Sequence, residues 1–167
     1  IDAHTLDVGG QRVTAERIVI ATGGSALRLP IPGAELGLIS DDLFTLKSLP
    51  KRAVVIGASF IGLEVAASLR TRNDAVHVVA PETVPMEKIL GADVGTFIRK
   101  LHEQQGVAFH LGTTTASIDE RSVTLQNGEH LAADLVVVGI GVRPAISLAE
   151  QAGLAIDRGI TVDQHLE

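Results

Sequence analysis

A glycine turn set between two apolar runs of different periodicity narrows the fold more than any other feature of the sequence. Ala53-Val54-Val55-Ile56 is a continuous, β-branched apolar run of strand length, as expected for a strand covered on both faces. The stretch 60–72 places Ile61, Val65, Ala66 and Leu69 at helical spacing on one inward face. Between them stands Gly57-Ala58-Ser59-Phe60-Ile61-Gly62. A second apolar run over 76–80 follows, so 53–80 spells strand, helix, strand, the crossover that joins parallel strands.

The remaining pattern extends this α/β reading. Residues 93–105 predict a helix with Val94, Phe97, Ile98 and Leu101 on its inner face. Short strands are expected at 108–111, 116–118, 123–125 and 135–138, and Asn127-Gly128 is a strong turn signal between two of them. Upstream, 5–8 and 12–14 read as a hairpin across Gly9-Gly10, followed by the apolar run Ile18-Val19-Ile20-Ala21, bounded by Thr22-Gly23-Gly24. Residues 25–40, with Pro30, Pro32, Gly33 and Gly37, read as an ordered linker, and a short helix starts at Asp41 or Asp42 and ends before Pro50. A short helix near 146–151 and a strand over 159–163 complete the chain. The whole is an α/β pattern: a Rossmann-like parallel sheet flanked by helices, with an antiparallel β-meander.

The turn also carries chemistry. Gly57 permits a sharp exit from the strand, Gly62 lets the helix approach the sheet, and the N–H groups of the first helical turn attract a phosphate. In the pattern Gly-x-Gly-x-x-Gly the middle glycine is replaced by Ser59, whose hydroxyl is a donor for a phosphate oxygen in place of the close backbone approach that glycine allows. The ligand expected there is the pyrophosphate of a nicotinamide dinucleotide, with Gly57, Ala58, Ser59, Phe60, Ile61 and Gly62 around it. A ribose-binding carboxylate belongs about 20 residues further on, at the end of the second strand. The last strand position is Ala80, and Glu82, two residues on, reads either as that carboxylate or as a solvated loop acid. Lys88 is the only Lys or Arg between Arg72 and Arg99 that a 2′-phosphate could meet, which favours NAD over NADP. Phe60 and Glu64 share a face at the helix start; Phe60 reads as a cofactor neighbour or a core contact, and Glu64 as a ligand or a dipole partner.

Composition excludes other classes. A net charge of −6, with 14 basic residues scattered along 167, argues against nucleic acid as a partner. With no cysteine, the chain holds no thiol nucleophile or redox disulfide, so any electron transfer uses a bound cofactor. The six histidines lack metal-ligand spacing. No apolar run approaches membrane-spanning length and no leader sequence is visible, so a cytoplasmic location is expected. No side chain in the chain is read as catalytic.

Three segments in order resemble the pyridine-nucleotide and FAD-dependent oxidoreductases, the family of ferredoxin reductases, NADH oxidases and apoptosis-inducing-factor-like proteins. They are Ile18-Val19-Ile20-Ala21-Thr22-Gly23; Val54-Val55-Ile56-Gly57-Ala58-Ser59-Phe60-Ile61-Gly62-Leu63-Glu64; and Val136-Val137-Val138-Gly139-Ile140-Gly141-Val142-Arg143-Pro144. The resemblance implies an NAD(H)-binding domain over 45–145, inserted between two FAD-domain pieces, 1–44 and 146–167. It further implies that Phe60 lines the nicotinamide site, Glu64 contacts the carboxamide, and Gly139 and Gly141 approach the cofactor. The parent would pass hydride from NADH to FAD and electrons to an acceptor protein or small molecule. The first flavin phosphate motif, the later Gly-Asp segment and the terminal interface domain have no counterpart, so an excised piece is expected, able to bind dinucleotide without turnover. The alternatives are a non-catalytic dinucleotide-binding regulatory module and another nucleotide-binding Rossmann domain; the segment 139–144 argues against the second.

Overall fold

The computed structural model describes residues 2–48, 50–72 and 75–166. Its chain divides into two compact units, 26–141 and the pair of segments 1–25 and 142–167.

The larger unit is built on four parallel strands. They are β4 (Arg52–Ile56), β5 (Ala75–Ala80), β6 (Val107–Leu111) and β10 (Leu135–Val138), in the spatial order β10, β4, β5, β6. Because strand side chains alternate, the run in β4 serves two cores. Ala53 and Val55 face Ala66 and Leu69 of helix α2 (Phe60–Arg70), while Val54 and Ile56 face the meander of β7 (Thr115–Asp119), β8 (Ser122–Leu125) and β9 (His130–Ala132). Val54 and Val55 are fully buried, each worth about 1.5–3 kcal/mol over an exposed side chain. Coverage of both faces explains why this strand reads as unbroken apolar sequence rather than as alternation. At the strand starts, Asp134 accepts from the N–H and Nε of Arg52, joining β4 to β10.

Helix α2 follows the expected span but is rotated from the expected face. Gly62, Leu63, Ala66 and Leu69 are buried, whereas Ile61 and Val65 are half-buried. The rotation is set by Gly62, where an added Cβ would stand 2.0 Å from the Gly57 carbonyl oxygen. Helix α3 (Glu87–Gln104) begins six residues before its expected start and breaks at Gly91, whose φ is 79°. Its predicted inner face is corrected as well: Val94, Phe97 and Leu101 are exposed. The buried contact is made by Gly95, whose Cβ would meet the Pro85 carbonyl at 2.4 Å, so the smallest residue on the helix marks its packed side.

The expected linker is part of this unit. Leu38 donates to Val136 and accepts from Val138, continuing the sheet edge, and the Pro32 carbonyl accepts from Ile118 in the meander. Helix α1 (Ser40–Leu43) is capped by Asp42, which accepts from the Ile39 N–H. The Asn127-Gly128 turn joins β8 to β9, a strand the sequence pattern did not single out.

The smaller unit holds the expected hairpin of β1 (Thr5–Val8) and β2 (Gln11–Thr14), paired antiparallel across Gly9-Gly10, and helix α4 (Ser147–Gln151). The expected strand over 159–163 is not formed, and the apolar run 18–21 forms none either. Residues 18–21 are irregular, with Val19 87% exposed, and 159–163 contributes only a single bridge between Ile156 and Ile160. A strand needs a neighbour to satisfy its backbone, and no other strand among the described residues runs beside either segment. The Thr22-Gly23 pair is nevertheless ordered. Thr22 donates from Oγ1 to the Ala145 carbonyl at 2.6 Å, and Ala145 N–H donates to Gly23. Strand β3 (Gly24–Ala26) then pairs with β11 (Val142–Pro144). No helix of the described residues is long and apolar enough to cross a membrane.

Candidate functional site

At the carboxyl ends of β4, β5 and β10, three loops converge on a cleft of about 330 Å³. It is lined by the turn Gly57-Ala58-Ser59, by Pro81 and Glu82 after β5, by the first residues of α3, and by Gly139 and Ile140 after β10. A crevice outside the carboxyl ends of parallel strands is where open α/β sheets bind ligands.

The turn is held by backbone contacts that glycine alone permits. Gly57 has a φ of 113°, and a Cβ there would stand 2.4 Å from the Gly139 carbonyl oxygen. Its N–H donates to Val79 across the sheet, as Gly139 N–H donates to Ile56. Ser59 is the N-cap residue of α2, with the Leu63 N–H returning to its carbonyl at 2.9 Å. The N–H groups of Phe60, Ile61 and Gly62 are those that helix geometry leaves without an intrahelical acceptor. They make the end of α2 a donor for an anion. The Ser59 hydroxyl does not join them: it points to the Gly139 carbonyl, 3.3 Å away.

Across the cleft, Glu82 is largely buried and its carboxylate pairs with Lys88, Nζ to Oε1 at 3.0 Å. Glu87 accepts from both the N–H and the hydroxyl of Thr83, at 3.0 and 2.9 Å. Those hydrogen bonds, the backbone one foremost, hold its carboxyl below the usual carboxylate range. Met86 forms the floor, buried and in the left-handed region at φ 60°, with its N–H on the Ala58 carbonyl and its own carbonyl accepting from Ile89 and Leu90. A non-glycine residue in that conformation costs about 1 kcal/mol or more, so the surrounding contacts hold it.

Of the residues singled out from sequence, the structure brings Gly57, Ala58, Ser59, Glu82 and Gly139 to the cleft wall. Gly62 lies behind the turn against Gly57, and Ala80 is buried at the end of β5. Phe60 is 61% exposed, so it makes no core contact, and Glu64 is exposed one turn further on. Gly141 has a φ of 120° and accepts from the Leu27 N–H. The sequence reading missed Met86, Ile89 and Ile140 as wall residues. The bracketing prolines Pro81 and Pro85 were the available sign that 81–86 is a built loop rather than a slack one.

Backbone donors at a helix start, a glycine-tight floor and a carboxylate within one cleft form the donor set that a phosphate and a ribose diol require, so these residues fit a dinucleotide. The architecture thus defines a Rossmann-type α/β unit carrying a β-meander. The family model described as pyridine nucleotide-disulphide oxidoreductase matches residues 1–167, and the chain belongs to that family. It is 38% identical to the rhodocoxin reductase of Rhodococcus erythropolis, the alignment covering 99% of this chain and 42% of that protein. It is 33% identical to the putidaredoxin reductase of Pseudomonas putida, over 95% of this chain and 42% of that one. The crystal structure of a ferredoxin reductase from Rhodopseudomonas palustris superposes with a TM-score of 0.90 at 34% identity, covering 98% of this chain and 44% of that one. The chain therefore spans less than half the length of the relatives it matches.

Proposed function

We propose that the unit 26–141, wider at its start than the 45–145 expected from sequence, binds NAD(H) within an FAD-dependent oxidoreductase, and that 1–25 and 142–167 belong to its flavin domain. The carrying observation is the cleft in which the Gly57–Ser59 turn, Glu82 and Gly139 meet at the carboxyl ends of three parallel strands. In this reading the N–H groups at the start of α2 hold the pyrophosphate, Glu82 accepts from a ribose hydroxyl, and Met86, Ile89 and Ile140 pack against the flat faces of the ligand. Phe60 and Glu64, exposed on the first turns of α2, stand ready for the nicotinamide end. Gly139 serves by its smallness, since a side chain there would press on the N–H of Gly62 at 3.3 Å.

When both cofactors are bound, they supply hydride transfer from the dihydronicotinamide to the flavin and onward electron transfer. This chain contributes position and charge: it fixes the dinucleotide and brings no side chain of its own to the redox step. The acceptor in this reading is a redox protein of the kind the two related reductases are named for.

Calorimetric titration of the 167-residue chain with NADH tests the assignment. Binding with a Kd below about 1 mM is expected, and Gly57→Val, whose side chain would occupy the Gly139 carbonyl, should weaken it by at least about tenfold while circular dichroism reports an intact fold. A chain that stays folded and binds no NADH at millimolar concentration would rule the assignment out.

A further inference from the structure

We infer that Lys88 reads the 2′ position of the adenosine ribose and keeps this site open to NADPH as well as NADH. The inference rests on the dinucleotide reading above and adds the cofactor selectivity of that site. A carboxylate fixed at the end of the second strand selects a 2′-hydroxyl and repels a 2′-phosphate. That position here is Ala80, buried and without a polar atom on its side chain. The charge has moved to Glu82, beyond Pro81, where Lys88 already neutralises it at 3.0 Å. Among the described residues Lys88 is the only cationic side chain on the cleft wall, and in the sequence it is the only Lys or Arg between Arg72 and Arg99. The second carboxylate, Glu87, is committed to Thr83 and holds the loop rather than the ligand.

Two arrangements of one ion pair then serve two ligands. With a 2′-hydroxyl, Glu82 accepts from the sugar while Lys88 stays on its carboxylate. With a 2′-phosphate, the ammonium group leaves Glu82 for the phosphate, whose charge of about −1.5 to −2 outbids a single carboxylate. The move is open to Lys88 because its side chain is 79% exposed on a flexible four-carbon stem, whereas Glu82 is only 23% exposed and stays in place. Solvent screening at that exposure keeps the discrimination modest, about twofold to fivefold.

The test is calorimetric titration of the chain with NADH and NADPH at low ionic strength, reading the ratio of the two affinities. The unmodified chain should bind both, with dissociation constants within about tenfold of one another. Lys88→Met should shift the ratio against NADPH by about twofold to fivefold, Lys88→Arg should largely retain it, and Glu82→Gln should shift it toward NADPH. A ratio that moves less than about twofold in Lys88→Met, or an unmodified chain that binds NADH and not NADPH at millimolar levels, overturns the role of Lys88 while leaving NADH binding standing. An unmodified chain that binds neither removes both readings.

Discussion

Gly62 sets two residue-level effects against each other. It lies inside α2, where replacing glycine by alanine ordinarily stabilises a helix by about 1 kcal/mol. Here the new methyl would stand 2.0 Å from the Gly57 carbonyl oxygen, and backbone cannot yield as a side chain tip does. Overpacking of that kind costs about 1–3 kcal/mol, so the steric effect wins. Gly62→Ala is expected to lower the urea midpoint of unfolding; an unchanged or raised midpoint would show that α2 can lift off β4 freely. The importance of Gly57 and Gly62 was legible in the sequence because strand, turn and helix are local. The direction of the Ser59 hydroxyl was not: it is decided by the Gly139 carbonyl, eighty positions away in the chain. The left-handed Met86 had no signal either, since nothing in the residue itself favours that backbone.

At the scale of elements, β5 and β6 place His77 and His110 side by side on the meander face of the sheet, Nδ1 of the first 2.9 Å from Nε2 of the second, with Glu129 on the far nitrogen of His110 at 3.2 Å. Burial, then the neighbouring His110, push His77 below its ordinary 6.5, against a smaller opposing pull from Glu129. Burial lowers His102 in the same sense. For a base with a depressed folded value, the unfolded chain binds protons first as pH falls. Stability is therefore full above about 6.5 and is lost between there and the lower folded value. Urea midpoints should accordingly drop from neutral pH toward pH ~5, and His77→Gln should flatten part of that drop, His102 accounting for the remainder. An identical slope in the variant would place the titration elsewhere. The four parallel strands β4, β5, β6 and β10 were readable from apolar runs, whereas the short strands β3 and β11 were not. The helix α3 was placed, but not its face: counting apolar residues favours Val94, Phe97 and Leu101, and the contact is made by Gly95, which a hydrophobic pattern cannot register. Strand β9 escaped for a similar reason, having one buried residue, Leu131, in three.

For the whole molecule, the division of burial is uneven. Among the described residues, the buried apolar side chains fall between Ala53 and Val138, with Ala149 the one exception. The unit formed by 1–25 and 142–167 shows Val8, Val13 and Val19 to solvent. Local opening follows buried contact, so brief proteolysis should trim these segments first and leave a resistant core near 26–141, and amide exchange should show the same order. Equal protection of the hairpin β1–β2 and of β4 would contradict this. The three motifs that carried the family resemblance lie in both units, which is why kinship was readable from end to end although the core is confined to the middle.

The larger unit also begins and ends at one place: the Leu27 N–H donates to the Gly141 carbonyl at 2.9 Å. A module whose two chain ends are already hydrogen-bonded to each other needs only a gap of one strand spacing in whatever receives it. Such a piece can be moved between hosts, or closed into a ring by a short peptide, without stretching its sheet, and a host loop that accepts it keeps its own ends together. The carbonyl of Gly141 is then the clasp by which this module is carried.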